Sequence, residues 1–392
     1  MRGRIALNNM LTKNELKQLE KSEKLRTPVL SLYLNLDKKT PEGQHYLAEL
    51  RRILSITNKQ IVAGYKEAGK FQKQLHERIV PRLLNFIDEE VLPYGTIRAL
   101  ALFASLNDKQ ARNNQEIVIY TLPRPIRSQS HVENNPFISP LLFLLDQYEQ
   151  YAVIITNKNN AHFYLVTMGE ITQSAEFISD IPHRSDQGGW AQKRYERRID
   201  HAIEQHVQRV VKHLIKQIAK TDVRRIILGG DPDILYLFKK NLPDREQKMV
   251  IGHIPAKPNE PSTETLERTL KIATDAERES EKKAVLELRE AMAHQGKAVT
   301  GLMETIKAVN EKRVQKLILI QGYSISGSLC MNCNTLSTPQ TRCTNCQAIT
   351  KPVDDLLESA AERVFLENGI IEFVDENIDL TALGNIGALL RF

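Results

Sequence analysis

The chain has 392 residues, 41% of them hydrophobic and 26% charged. That balance fits two or three folded domains and excludes collagen-like and wholly disordered classes. No run of about 18 apolar residues occurs, which argues against a transmembrane helix, and no apolar signal segment is visible at the N-terminus. A cytoplasmic protein with no membrane contact is therefore expected. The net charge of +6 is mild but unevenly placed. Residues 1–100 carry +7, residues 181–225 carry +6, and residues 351–392 carry −6. Concentrated basic stretches set against an acidic tail suggest an electrostatic footprint for a polyanion, although a solvated, salt-bridged surface gives the same totals.

Along the first third, residues 28–37 (PVLSLYLNLD) read as a strand. A breaker at Thr40-Pro41 follows, then a helical pattern to about residue 68 and a second helix near 72–89. Residues 97–105 and 115–123 read as buried strands. The Pro- and Asn-containing stretch 123–140 breaks the pattern and reads as a boundary region. A first domain over 1–145 results.

A second domain, 148–260, opens with YAVIIT and HFYLVTMG on either side of Asn157-Lys158-Asn159-Asn160, a hairpin signal. After a polar loop comes a long helix, about 191–219. In it Tyr195, Ile199, Ile203, Val207, Val210, Leu214 and Ile218 form one apolar stripe. RRIILGG (224–230) reads as a strand entering a Gly-Gly turn, 232–241 as a helix and 249–255 as another strand. This alternation argues for an α/β layer. Pro255, Pro258 and Pro261 form a linker to a third domain, 263–392. That domain is expected to hold helices over 263–294, 301–310 and 353–367, strands at 316–321 and 369–374, and an apolar C-terminal ALLRF.

All four cysteines lie within seventeen residues, as Cys330-x-x-Cys333 and Cys343-x-x-Cys346. Each such turn aims two thiolates and several N–H groups at one point, so two together favour a structural zinc centre. Disulfides are the weaker reading, because the pairs are too local to staple much. Four thiolates leave no open position for water, so catalytic zinc is not expected. The insert 330–346 is polar and has little to bury without a metal.

The most informative segment is SDQGGWAQKRYERRID, 185–200. Gly188 and Gly189 permit close backbone approach at a loop tip. The helix that follows carries Lys193, Arg194, Arg197 and Arg198, with 194, 197 and 198 on one face. A thin tip on a cationic stem suits a phosphate-rich, narrow space. A Gly-Gly turn before an ordinary surface helix has the same sequence signature. His183, His201, His206 and His213 lie near this helix; their spacing aligns with no carboxylates, so they read as solvent- or RNA-facing.

This segment resembles the Gly-Gly-Gln loop and following helix of the archaeal and eukaryotic peptide-chain release factors, where Ser-Ala and an Arg-Phe-x-Arg pattern come next. Gly188, Gly189, Arg194, Tyr195 and Arg197 fall at matching offsets. RRIILGGDPD, VTGLMETIKAVNEKRVQKLILIQ and NIGALLRF resemble other pieces of the family. The cysteines sit where archaeal members carry a zinc insert. The resemblance spans 148–392. The first 145 residues lack an Asn-Ile-Lys-Ser stop-codon motif and are instead similar to bacterial members of the superfamily, a branch that includes a ribosome-hibernation factor and has the Pelota rescue factors as cousins.

The resemblance implies an α/β (α+β), three-domain, tRNA-shaped factor with a zinc insert. It implies contact with ribosomal RNA at the decoding and peptidyl-transferase centres, and a translational GTPase such as elongation factor Tu as partner. Trp190 stands at the catalytic glutamine position. It has one N–H donor and no acceptor, so it cannot place a hydrolytic water as an amide does; an indole suits stacking on a base instead. The expected RNA-binding set is Gly188, Gly189, Trp190, Gln192, Lys193, Arg194, Arg197 and Arg198, with no catalytic residue. Hibernation is favoured over rescue. Peptidyl-tRNA hydrolysis through Gln192 is the alternative, although Gln192 lies on the stem rather than the tip. A zinc-dependent nuclease lacks an open-site ligand cluster.

Overall fold

A computed structural model of the protein describes residues 6–7, 11–20, 28–93, 97–106, 117–181, 190–293, 297–375 and 377–392. For 6–7 and 190–192 it describes the backbone alone. The chain divides into two units, 1–142 and 143–392.

The first unit runs β1 (Ala6–Leu7), α1 (Lys13–Glu20), β2 (Val29–Asn35), α2 (Pro41–Gln44), α3 (Tyr46–Gly64), α4 (Ala68–Gln74), α5 (Val80–Phe86), β3 (Ala99–Ser105), β4 (Ile117–Leu122) and β5 (Gln129–Glu133); α6 (Ser139–Gln147) begins in it. The sheet order is β1-β4-β3-β2-β5, antiparallel except for the β1–β4 pair. Helix starts at Pro41 because Thr40 accepts from the Gly43 N–H at 3.1 Å and Pro needs no partner at the first position. The pattern expected to run to about 68 is interrupted at His45 and ends at Gly64, giving α2 and α3. The helix expected over 72–89 is α4 and α5, joined and extended by π-helical turns at Leu75–Ile79 and Ile87–Val91.

Strand β2 is buried on both faces. Leu30, Leu32 and Leu34 join the core beneath α3, α4 and α5. On its other face Ser31 Oγ accepts from the Phe137 N–H at 2.9 Å, and the Tyr33 hydroxyl donates to the Phe137 carbonyl. The stretch 123–140 is thus more than the boundary expected of it: it supplies edge strand β5 and part of the cover of the sheet. Its own pattern is too polar to announce a strand. Gln129, His131 and Glu133 alternate with buried Ser130 and Val132, and Ser130 is matched by a core hydroxyl, Thr57, at 2.8 Å.

The second unit holds a five-stranded sheet, order β10-β9-β6-β7-β8. Its elements are β6 (Tyr151–Thr156), β7 (Asn160–Thr167), β8 (Glu170–Ile178), α7 (Trp190–Ile218), β9 (Arg225–Gly230), α8 (Pro232–Asn241), α9 (Asp244–Gln247) and β10 (Val250–Ile254). The β6–β7 turn forms as expected: Asn157 Oδ1 accepts from the N–H groups of Asn159 and Asn160 at 3.0 and 2.8 Å. After β9, Gly230 has φ +130°, and a Cβ there would lie 1.8 Å from the Thr156 carbonyl oxygen, so only glycine fits. Asp231 then caps α8 by accepting from the Asp233 N–H.

Helix α10 (Ser262–Met292) follows the Pro-rich linker. Leu266, Ile272 and Ala273 in its first half pack on Tyr151, Val153 and Ile227, the face of the sheet opposite α7. Ala284, Val285 and Leu288 in its second half pack on Ile318, Ile320, Val374 and Leu389 of a second sheet. That sheet, order β11-β17-β12-β16, contains β11 (Ala298–Thr300), β12 (Val314–Ile320), β16 (Ile370–Val374) and β17 (Ile386–Leu390). Helices α11 (Leu302–Asn310), α12 (Leu356–Leu366) and α13 (Ile378–Ala382) accompany it. Between β12 and α12 stands a small antiparallel sheet, β14-β13-β15, built from β13 (Gly327–Cys330), β14 (Leu336–Ser337) and β15 (Thr350–Val353). Among the described residues no helix is long and apolar enough to cross a membrane.

Candidate nucleic-acid interface and metal centre

Helix α7 forms because its apolar residues recur at three- and four-residue steps over 29 residues, about 43 Å of helix. Ile203, Val207, Val210, Leu214 and Ile218 are buried on Ala152, Ile154, Phe163 and Ile226; Val211 joins them. The stripe weakens toward the N-terminus, where Tyr195 and Ile199 are only half-buried. From residue 193 to the first buried residue, Ile203, about 15 Å of helix has no fully buried side chain. Lys193, Arg194, Arg197 and Arg198 all lie on this stretch, and all four are exposed. Arg197 Nε donates to the Lys193 carbonyl of its own helix, at 3.2 Å.

The helix begins at Trp190, so Trp190 and Gln192 both have helical backbone. Their side chains, and all of Gly188 and Gly189, lie outside the described residues. The end of β8 is tied to α7 by a three-membered clamp. Arg209 Nη2 donates to the Ile178 carbonyl at 2.8 Å and to Ser179 Oγ at 2.7 Å, and Ser179 Oγ meets His206 Nδ1 at 2.7 Å.

The clamp corrects the reading of the histidines as solvent- or RNA-facing. His206 is 1% exposed, and burial, reinforced by the Arg209 charge, pushes its pKa down. His213 sits edge-on between the rings of Phe163 and Phe177, with centroids 5.0 Å from each, and burial lowers its pKa too. The spacing that put these residues near the basic helix turned them inward, onto the apolar stripe. His201 is exposed and pairs with Gln205; His183 lies outside the described residues.

The four cysteine sulfurs converge within 4.8 Å of one another. Cys330 Sγ and Cys346 Sγ are 3.4 Å apart, and Cys333 Sγ and Cys343 Sγ 3.5 Å. A tetrahedral ion with sulfur ligands at about 2.3 Å needs sulfurs roughly 3.8 Å apart, so the set fits such an ion. The two knuckles repeat each other's backbone hydrogen bonds. Cys330 N donates to Thr335 O at 2.9 Å and Asn334 N to Cys330 O at 3.0 Å; Cys343 N donates to Ala348 O and Gln347 N to Cys343 O, both at 2.9 Å. Asn334 and Gln347 occupy the same left-handed position, φ +56° and +61°. N–H groups also aim at sulfur, Asn332 at Cys330 (3.4 Å) and Asn345 at Cys343 (3.3 Å). Hydrogen bonds from Thr335 draw the Cys333 thiol down, while burial and the neighbouring thiols push Cys330 up. Among the described residues this is the one group of side chains placed to hold a metal ion.

Outside the cysteines, two side chains grip the first knuckle. Asn310, the last residue of α11, accepts from Leu336 N at 2.9 Å and donates to Leu336 O at 2.8 Å. Arg363 of α12 donates to Asn310 Oδ1 at 2.8 Å and to the Asn334 carbonyl. Spacing gave no sign of either, since both lie twenty or more residues from the cysteines they serve.

Residues 136–274 match the family described as bacterial archaeo-eukaryotic release factor family 10. Peptide chain release factor subunit 1 of Methanocaldococcus jannaschii is 24% identical over 343 residues, 83% of this chain and 78% of the relative. The same protein of Pyrococcus abyssi is 23% identical over 417 aligned positions, 96% of this chain and 97% of the relative. Among solved structures, an archaeal translation termination factor aligns over 97% of this chain and 99% of its own, with 16% identity and a TM-score of 0.27. A ribosome-bound archaeal Pelota aligns over 75% and 77%, with 14% identity and a TM-score of 0.42. The family match covers the sheet and basic helix of the second unit, and over most of its length the chain is similar in sequence to archaeal peptide chain release factor subunit 1.

Proposed function

We propose that the protein binds the ribosomal A site as a tRNA mimic and does not hydrolyse peptidyl-tRNA. The observation that carries this reading is the overhanging start of α7: four exposed cations on helix with no fully buried side chain, directly after a Gly-Gly pair and Trp190. Exposed cations that pair with no carboxylate among the described residues suit contact with phosphates. The clamp of Ser179, His206 and Arg209 holds the strand that leads toward the tip against the same helix. Trp190 in place of glutamine removes the acceptor that would orient water. Hibernation, in the manner of the factor Balon acting with elongation factor Tu, follows as the specific role, with a structural zinc ion in the cysteine insert. The curated relatives are release factors, which supports the ribosome as the partner.

The test is co-sedimentation of the protein with ribosomes across a salt series, beside a variant with Lys193, Arg194, Arg197 and Arg198 changed to Gln. Binding should weaken steeply with salt, and the variant's log–log slope should be shallower by about 3. Absence of co-sedimentation at low salt overturns the proposal. Release of labelled peptide from ribosomal complexes, abolished by Gln192→Ala, replaces it with the hydrolytic alternative.

A further inference from the structure

The two cysteine knuckles share their backbone hydrogen bonds, differ inside at Thr335 against Ala348, and differ further in what holds them from outside. In both, the carbonyl of the left-handed residue accepts from a guanidinium. For the second knuckle the donor to Gln347 O is Arg342, an exposed residue of the insert itself, at 3.3 Å. For the first, the donor to Asn334 O is Arg363, which is anchored in α12 between buried Ala361 and Val364. Arg363 is braced in turn by Asn310, whose amide pairs with both backbone groups of Leu336 as a neighbouring strand would. Burial does not explain the difference: Cys330 and Cys343 are both buried, and Cys333 and Cys346 both half-buried.

We propose that Arg363, braced by Asn310, is a positioning residue of the metal centre. It fixes the Cys330–Cys333 knuckle to the C-terminal sheet domain and offsets part of the negative charge that four thiolates place around a divalent ion. Tetrathiolate zinc carries a net charge of −2, and one cation next to the knuckle opposes it in a partly dry setting. Outer contacts of this kind orient ligands and set how tightly an ion is held. The second knuckle has only the insert's own Arg342, so metal loss begins there: Cys343 and Cys346 let go first, while Cys330 and Cys333 stay in place. Metal retention thereby depends on α11 and α12, and the insert is coupled to the domain rather than hung from it. This inference rests on the metal reading above.

The experiment uses the full chain loaded with zinc. Zinc affinity is measured by competition with a chromophoric chelator for wild type, Arg363→Gln, Arg363→Lys, Asn310→Ala and Arg342→Gln. Arg363→Gln and Asn310→Ala are expected to weaken zinc binding about 10- to 100-fold, with Arg363→Lys recovering part of the loss because it restores charge but not the fork. Arg342→Gln should change affinity less than about threefold. Cobalt-loaded variants should keep the absorption bands of a tetrathiolate site, which separates weakened retention from a collapsed insert. In wild type, thiol alkylation during slow chelation, followed by mass spectrometry, should label Cys343 and Cys346 before Cys330 and Cys333; in Arg363→Gln that order should disappear. Should Arg363→Gln fail to fold, Asn310→Ala and the wild-type labelling order decide. Equal zinc affinity in Arg363→Gln and wild type, or an equal loss in Arg342→Gln, overturns the inference. A wild-type chain that takes up neither zinc nor cobalt overturns the metal reading, and the inference with it.

Discussion

Helices α7 and α10 are nearly the same length, 29 and 31 residues, yet use their charges in opposite ways. In α7 four cations, Lys193, Arg194, Arg197 and Arg198, sit exposed near its N-terminal end, and no ion pair ties them to a carboxylate among the described residues. In α10 the key charge sits mid-helix and buried. Glu277 forms an ion pair with Arg225 of β9, which also meets Glu149 at 3.3 Å; the side chains of all three are 12–15% exposed. Arg224 also meets Glu149, at 3.6 Å, and burial is the main cause that holds the Glu277 pKa up at about 7. Glu372 is pushed up as well, by burial and then by neighbouring glutamates. The difference teaches that the exposed set can be altered with little effect on folding, whereas the buried set governs stability and its response to pH.

The largest break of this contrast is Arg225→Ala, which takes the ion-pair partner from largely buried Glu277 and leaves Glu149 with Arg224 alone, at 3.6 Å. It should cost about 3–5 kcal/mol in chemical denaturation at pH 8. Next comes Glu277 itself. Its folded-state pKa lies above its unfolded value of about 4.5, so its contribution is fully present below pH 4.5 and is lost as pH rises through 7. Glu277→Gln should remove that loss: relative to wild type, the variant should gain up to about 3 kcal/mol between pH 4.5 and pH 8. Parallel pH profiles of the two proteins would refute the assignment.

His206 has the opposite sign. Its pKa is lowered by burial and by Arg209, so the stability it contributes is present above about pH 6.5 and is lost as pH falls below that value. His206→Gln should flatten the acid side of a melting-temperature profile and leave the alkaline side unchanged. The smallest effect is expected for Lys193, Arg194, Arg197 and Arg198. Each change to Gln should shift stability by no more than about 0.5 kcal/mol, while ribosome binding falls. A large drop in melting temperature for these variants would mean that the basic end of α7 is structural after all.

Much of the fold was legible because it follows local rules. The period of α7, the turns at Asn157 and Gly230, the strands β2, β6, β9 and β12 and the start of the helix at Pro41 are all set by neighbours within a few residues. The exposure of the four cations was equally legible, since a stripe that begins at Tyr195 leaves 193, 194, 197 and 198 off it. The small sheet of the cysteine insert was not, because polar strands of two to four residues carry no periodicity. Strand β5 escaped for a related reason: half-exposed polar residues and flanking prolines hide a strand that forms only because β2 offers it an edge.

The sequence by itself determined the α/β layers, the Cys-x-x-Cys pairs and the place of the basic helix after a Gly-Gly pair, for these depend on period and spacing. Only the tertiary structure decided which residues support them. It showed that α10 covers two sheets with its two halves, that His206 turns inward to grip Ser179, that Arg225 is shared by two glutamates, and that Arg363 and Asn310 hold one knuckle and not the other. Each of these joins residues roughly thirty or more positions apart. A chain's local pattern states which face of a segment must be buried, but not which distant segment will bury it.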